Sequence, residues 1–341
     1  MDWALFEELD RLRRAQGRML EAIGLRAIES PYRIVHGETG VALRRYDGGS
    51  ESGPLVLIVP APIKRPYIWD LLPRASVVRR CLERGARVHL ADWQPAPAHF
   101  GLAQYAEGLI LACLDAARAE RAVVLAHSLG GLLAAIFASL HPKRVQGLAL
   151  LAAPLHFGAD TPVLGALVKE LDPRTLPDSL PGSFLSVASA NAAPAVFGSD
   201  RLLDAVLSAG SPAAMHTHLL VERWAADEFA LPRRLVAELA TQIMREDRFV
   251  RGTLEIEGRA ALPRRMTSPL LCVLDPRCAL VPPAAVLPFV EAAGSRDKTV
   301  LRYEDEVGVA LQHVGPLVGR RAHERLWPQI LDWVDRTCAL A

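Results

Sequence analysis

The sequence lacks the features that would mark it for export, metal binding or nucleic acid. Its five cysteines (Cys81, Cys113, Cys272, Cys278 and Cys338) are odd in number and scattered, and no two stand at metal-site spacing. They read as reduced thiols of a cytosolic protein with no metal and no disulfide framework. A formal charge of +1 gives no electrostatic case for nucleic acid or an anionic membrane as partner. The opening stretch MDWALFEELDRLRRAQGRMLEAIGL is charged throughout and has no apolar signal core, so cytoplasmic residence is expected. One uncharged run, 122–140, approaches the length of a membrane span. His127, Ser128 and the pair Gly130-Gly131 interrupt it, and its first half is rich in β-formers. A buried strand, a turn and a helix account for it better, and no transmembrane segment is expected.

What is present is core. Half of the 341 residues are hydrophobic, enough for one large domain or two. Leu5, Leu9, Leu12, Met19 and Ile23 recur at roughly helical spacing and predict an amphipathic helix over 3–23. Two short strands follow, closed by Gly48-Gly49-Ser50. Then strands alternate with helices: PLVLIVPA, SVVRRCLERG, ARVHLADW, LAQYAEGLILACLDAARAE, RAVVLA, LLAAIFASLHP and VQGLALLAAP. That rhythm predicts an α/β fold with a mostly parallel sheet and helices on both faces. It breaks from about His156 to Pro263, where PDSLPGSFLSVASANAAPAVFG is rich in Pro, Ser and Ala and helical patterns follow at 214–225 and 232–246. It resumes with SPLLCVLD, TVLRYED and a last helix through WPQILDW. The expected organisation is an N-terminal helical segment (1–30), a core (31–155 and 265–341) and an inserted helical cap (156–264).

The chemistry gathers at Ala126-His127-Ser128-Leu129-Gly130-Gly131. In α/β-hydrolases the nucleophile sits on a sharp turn between strand and helix, written G-x-S-x-G, with small flanking residues that permit a strained backbone. Here alanine replaces the first glycine, and the strand before and helix after are as required. Ser128 is the candidate nucleophile; a plain N-cap serine is the bland alternative. A serine hydroxyl needs a base, which in this fold follows the last strand. VALQHVGP places His313 there. His36, His89 and His99 precede the box, His141 ends a helix, His216 and His218 lie in the cap, and His323 falls on the last helix. The oxyanion hole should combine the Leu129 N–H with one from the loop Pro60-Ala61-Pro62-Ile63-Lys64. Pro62 has no N–H, which leaves Ile63 or Ala61. Lys64-Arg65 is either a contact for an anionic group, such as a phosphate of coenzyme A, or a solvated charge pair.

These residues also carry a family likeness. PLVLIVPAPIKRPYIWDLLPRASVVRRCLERGARVHLADWQP resembles the strand–loop–helix–strand block of the poly(3-hydroxyalkanoate) synthases, through Tyr67, Ile68, Asp70, Leu71, Asp92 and Trp93. VERWAADEFALP is similar to that family's cap segment, LVPP to the stretch after its acid, and HVGPLVGRRA…WPQILDW to its histidine loop and last helix. The short N-terminal part and the length are most similar to the class III catalytic subunits. The resemblance implies an α/β-hydrolase fold, a cytoplasmic or polymer-granule-associated enzyme of polyhydroxyalkanoate metabolism, and an acyl substrate or polyester. It also implies a partner subunit or homodimer. No cofactor is implied, coenzyme A entering only as a substrate thioester.

Three departures stand out. The family's box holds a cysteine where this chain has Ser128; thiolates suit repeated acyl transfer, and serine suits ester hydrolysis. The family's acid, four residues before the first proline of its D-H-x-V-P-P motif, is replaced by Cys278. A thiol cannot orient a histidine and stabilise its imidazolium as a buried carboxylate does. The oxyanion loop and the residue before the histidine are altered too, giving Lys64 and Gln312. Asp275 is the first choice for a substitute acid. Asp160, Glu304, Asp305 and Glu306 are alternatives, as is a dyad with no acid. The leading expectation is a serine-dependent acyl hydrolase or acyltransferase acting on 3-hydroxyacyl esters or thioesters, with Tyr67, Trp69 and Trp93 as candidate walls of the acyl site. A synthase with a serine nucleophile and a degenerate paralogue that binds granules or a synthase are the other two readings.

Overall fold

Aliphatic runs without a charge cannot leave either face of a strand in water, so they take the centre of a covered sheet. A computed structural model describes residues 2–339 apart from Glu170, Asp305 and the side chain of Leu167. Asp305, one of the candidate acids, therefore lies outside the described residues. The main sheet has eight strands: β1 Tyr32–Glu38, β2 Val41–Tyr46, β3 Leu55–Val59, β4 Arg87–Trp93, β5 Ala122–His127, β6 Val145–Leu151, β7 Leu270–Leu274 and β8 Lys298–Arg302. Their spatial order is β1-β2-β4-β3-β5-β6-β7-β8. β1 and β2 form an antiparallel hairpin, β2 runs antiparallel to β4, and all other pairings are parallel.

Every residue of β3, β5 and β7 is buried, whereas the edge strand β8 has no fully buried residue. Alternate side chains enter opposite cores. Leu55, Leu57 and Val59 pack on one face with α3 (Leu109–Ala116) and α4 (Leu129–Leu140). Val56 and Ile58 pack on the other with α2 (Val77–Glu83) and the final helix, which supplies Trp327 and Trp333. Each fully buried aliphatic side chain contributes about 1.5–3 kcal/mol, so this double layer is the main source of stability.

The N-terminal helix α1 (Trp3–Ala22) forms where its pattern predicts, but it turns a different face inward. Leu5, Leu12, Met19 and Ile23 are exposed, at 56 to 75 %. The inner face is Trp3, Phe6 and Asp10. Trp3 and Phe6 pack edge-on against Phe184, and Asp10 is buried, accepting the N–H groups of Gly182 and Ser183. Asp10 thereby caps a cap helix that the Pro-, Ser- and Ala-rich composition did not suggest.

Between β6 and β7 lie α5 (Pro162–Val168), α6 (Gly182–Ala192), α7 (Asp200–Ser208), α8 (Pro212–Ala225) and α9 (Arg233–Glu238). After β7 come α10 (Leu287–Ala292), α11 (Gly315–Val318) and α12 (Trp327–Ala339). The residues of α5–α9 cover the carboxyl ends of the parallel strands. Open α/β sheets bind ligands there, and β3, β5, β7 and β8 each lead into one of the candidate residues.

Candidate active site

At the end of β5 the backbone makes the turn that the sequence pattern requires. Ser128 has φ 53° and ψ −132°, a conformation that L residues avoid, at a cost of about 1–3 kcal/mol. The strain is held in place from both sides. The Ser128 N–H donates to Leu151 O at 3.1 Å, and its carbonyl accepts from the Gly131 N–H at 2.8 Å. The two glycines of the box are there for space. A Cβ on Gly130 would lie 2.3 Å from Val59 O, and one on Gly131 would lie 2.4 Å from the Ala153 Cβ. Ala126, at the first position of the box, is an ordinary buried strand residue with no positive φ, so alanine replaces glycine there without strain.

The last sheet strand leads into the loop that carries His313. Ser128 Oγ lies 2.9 Å from His313 Nε2. With the hydroxyl donating to Nε2, the imidazole proton sits on Nδ1. That Nδ1 is buried and has no hydrogen-bond partner among the described residues, which costs about 1–3 kcal/mol. Burial, then the neighbouring His127, hold the His313 pKa well below its ordinary value, so the ring is neutral at neutral pH. His127 is a contributor that sequence reasoning passed over. It donates from Nε2 to the His313 carbonyl at 2.9 Å, its ring stands 4.7 Å from that of His313, and burial lowers its own pKa to about 4. Its position beside the serine was the available signal.

The expected acid is not where Asp275 was read to put it. The Asp275 carboxylate turns into its own loop, where it accepts the Arg277 N–H at 2.8 Å, and it makes no hydrogen bond to His313. Cys278 is likewise folded onto its own turn, its buried Sγ accepting the Val281 N–H at 3.3 Å. Both share with His313 the wall of a cavity of about 450 Å3. Asp160 lies 3.4 Å from His156, Glu304 faces Arg277 at 4.0 Å, and Glu306 accepts from Tyr303 OH and the Arg321 N–H, each at 2.8 Å. None of these described carboxylates meets His313 Nδ1.

Leu129 N–H and Ile63 N–H make no hydrogen bond among the described residues, and both residues border the same cavity as Ser128. The cap fixes the Ile63 loop: the Phe229 N–H donates to Ile63 O at 3.1 Å, and Trp224 Nε1 donates to Arg65 O at 2.8 Å. The Lys64-Arg65 pair is held by carboxylates of the cap, with Arg65 Nε 3.5 Å from Asp227 and partly exposed. Lys64 Nζ donates to Glu228 at 2.6 Å and to Ala225 O, and Arg65 lies over the Phe229 ring at 3.8 Å. Burial lowers the Lys64 pKa to about 8 even with Glu228 beside it.

Two cavities meet at the serine. One, of about 190 Å3, runs into the cap between Leu132, Phe184, Val236, Ile243 and Met244, almost wholly apolar. The other, of about 130 Å3, is bordered by His313, Trp69, Lys64, Arg201 and Glu228. Trp69 is the one of the three expected aromatic walls that reaches a cavity beside Ser128; it also packs edge-on against His127. Tyr67 instead sits under the cap, bonded to Arg223 at 3.1 Å. Trp93 is buried in the core and donates to Pro60 O at 2.8 Å, which anchors the start of the oxyanion loop. Neither lines a cavity at the serine, because each spends its polar atom on holding backbone or cap.

A family described as alpha/beta hydrolase fold matches residues 72–232. The chain is 28 % identical to the poly(3-hydroxyalkanoate) polymerase subunit PhaC of Haloferax mediterranei, over 96 % of this chain and 68 % of that one. It is 26 % identical to the PhaC subunit of Allochromatium vinosum over 96 % of both chains. The chain is a homologue of these PhaC subunits, on an α/β-hydrolase fold. Among solved structures it is similar in fold to the enol-lactonase from Burkholderia xenovorans LB400, with a TM-score of 0.56 at 16 % identity over 89 % of this chain and 100 % of that one. The carboxylesterase CesB of Bacillus subtilis is similar too, with a TM-score of 0.56 at 14 % identity over 96 % of this chain and 98 % of that one.

The chain has the turn and the histidine loop, and its two departures from the pattern it resembles are Ser128 in the box and Cys278 at the acid position. Ser128 faces His313 Nε2, and Cys278 borders a second cavity that His313 also lines.

Proposed function

We propose that this chain is a serine-dependent acyl hydrolase or acyltransferase acting on 3-hydroxyacyl esters or thioesters. The observation that carries this reading is the 2.9 Å pairing of Ser128 Oγ with a buried, neutral His313 at a strained turn. Ser128 Oγ attacks the acyl carbonyl as His313 Nε2 takes its proton, and the oxyanion meets the N–H groups of Leu129 and Ile63. His313 then returns the proton to the leaving alcohol or thiol. Water, or a second hydroxyl, releases the acyl group from the serine. The cavity, of about 190 Å3 and lined almost wholly by aliphatic and aromatic side chains, suits the hydrocarbon part of an acyl chain. Among the described residues no carboxylate meets Nδ1, so the imidazolium formed during attack goes unstabilised by them and turnover is slow; removing a triad member still leaves about 10³–10⁴-fold catalysis from binding and the oxyanion hole.

A fluorophosphonate probe should label Ser128 and fail on Ser128→Ala. Labelling at another residue, or none in protein that turns over ester, would sink the assignment. The names of the homologous subunits favour a second reading, a polymerase of 3-hydroxyacyl-CoA with a serine nucleophile and a partner subunit. It predicts coenzyme A release coupled to polymer, whereas hydrolysis yields free acid with no chain growth. Full complementation by Ser128→Ala would instead point to a non-catalytic granule- or synthase-binding paralogue. Among the described residues no helix is long and apolar enough to cross a membrane, which fits either a cytoplasmic or a granule-associated enzyme.

A further inference from the structure

We infer that Asp204, on the cap helix α7, is a positioning residue for His313; this rests on the serine–histidine reading above. Among the described residues no acid meets His313 Nδ1, so what orients the ring acts through its backbone, and the loop that carries it is gripped from outside the core. Asp204 is buried, and its carboxylate takes three donors. The Gly308 N–H reaches Oδ1 at 2.9 Å, the Ala310 N–H reaches Oδ2 at 2.8 Å, and His218 Nδ1 donates to Oδ2 at 2.6 Å. Bonds to an ionised acceptor are about twice as strong as neutral ones. Both amides belong to the stretch just before His313, and both residues are in the left-handed region, Gly308 at φ 85° and Ala310 at φ 55°. A backbone turned that way by a non-glycine residue relaxes unless something holds it. The stretch is also pressed against the start of α8: a Cβ on Gly308 would lie 2.9 Å from Ala214. On the core side, Gln312 Nε2 donates to Glu306 O at 2.7 Å. The carboxylate thus couples two cap helices, α7 and α8 (through His218), to the approach of the base toward Ser128. The role that a triad acid plays through the ring, Asp204 plays through the main chain.

The test uses the full chain with a short p-nitrophenyl ester, too small to need the cap for binding. Asp204→Asn keeps one acceptor oxygen and sets an NH2 group against the other loop amide. It should lower kcat by about 10- to 100-fold with KM changed by less than roughly threefold, as expected for a misplaced catalytic group. It should also speed amide hydrogen exchange across 308–314. His218→Asn keeps a donor near the position of Nδ1 and should retain wild-type kcat, while His218→Leu should fall with Asp204→Asn. Unchanged kcat in folded Asp204→Asn, a change in KM alone, or equal losses in the two His218 variants would overturn the clamp. Should Asp204→Asn fail to fold, the His218 pair decides. Wild-type protein that neither hydrolyses ester nor reacts with fluorophosphonate would overturn the serine–histidine reading instead, and the clamp with it. Active wild type with an indifferent Asp204→Asn overturns the clamp alone.

Discussion

Replacing Cys278 by aspartate should restore what His313 lacks. The thiol shares a cavity wall with His313, while Nδ1 is buried without a partner among the described residues. A carboxylate that accepts the Nδ1 proton makes a charge-assisted bond as the imidazolium forms, worth about 1.5–3 kcal/mol net. At 1.36 kcal/mol per factor of ten, that is about a 10- to 100-fold rise in kcat. The same carboxylate favours the charged ring, so it must raise the His313 pKa from its position well below the ordinary value. The acid limb of kcat/KM, which lies well under pH 6.5 in the wild type, should therefore move upward in Cys278→Asp. The assay is ester hydrolysis across pH 4 to 9 for both proteins, with thermal unfolding to show that the variant is folded. Folded Cys278→Asp with unchanged kcat and an unmoved acid limb would refute the reasoning, since either the base or the acid position would then be misassigned.

Three further outcomes are expected. Ser128→Gly should abolish fluorophosphonate labelling yet raise the urea midpoint: relief of about 1–3 kcal/mol of strain at φ 53° outweighs the entropic disadvantage of glycine. Gly130→Ala forces a Cβ to within 2.3 Å of Val59 O; chemical denaturation should show a loss of about 1–3 kcal/mol, together with weakened ester turnover. His89, His127 and His323 are buried with pKa values lowered to about 4, so below pH 6.5 the unfolded chain binds protons that the folded chain refuses. Stability then falls as pH drops, by roughly 2 kcal/mol per histidine at pH 5. A urea midpoint that stays constant between pH 7 and pH 5 would contradict the buried, neutral state of these rings.

The legible parts were those whose physics is local. Continuous aliphatic runs marked the central strands because a strand covered on both faces admits no charge. The glycine pair and the strand–serine–helix order marked the turn because few sequences allow that backbone. His313 was readable from chain order, and Cys278 and Ser128 from departures from a pattern. The face of α1 was misread because Leu5, Leu12 and Met19 make the stronger apolar stripe, while the partner that decided the matter was Phe184, remote in sequence. Helix α6 was missed because its N-terminal cap, Asp10, is supplied by another helix. Tyr67 and Trp93 were assigned to the site by residue type, and their hydrogen bonds to Arg223 and Pro60 O make them supports.

By itself, then, the sequence determined the α/β scaffold, the strained serine and the histidine that follows the last sheet strand, since each follows from hydrophobic period, turn chemistry or order along one chain. Only the tertiary structure decided which groups surround His313. Hydrogen bonds are made at 2.6 to 3.1 Å between residues far apart in sequence, as between Asp204 and Ala310. Spacing along the chain carries no information at that scale. It could nominate Asp275 but could not reveal that its carboxylate closes on Arg277, nor that a cap aspartate holds the loop in its place.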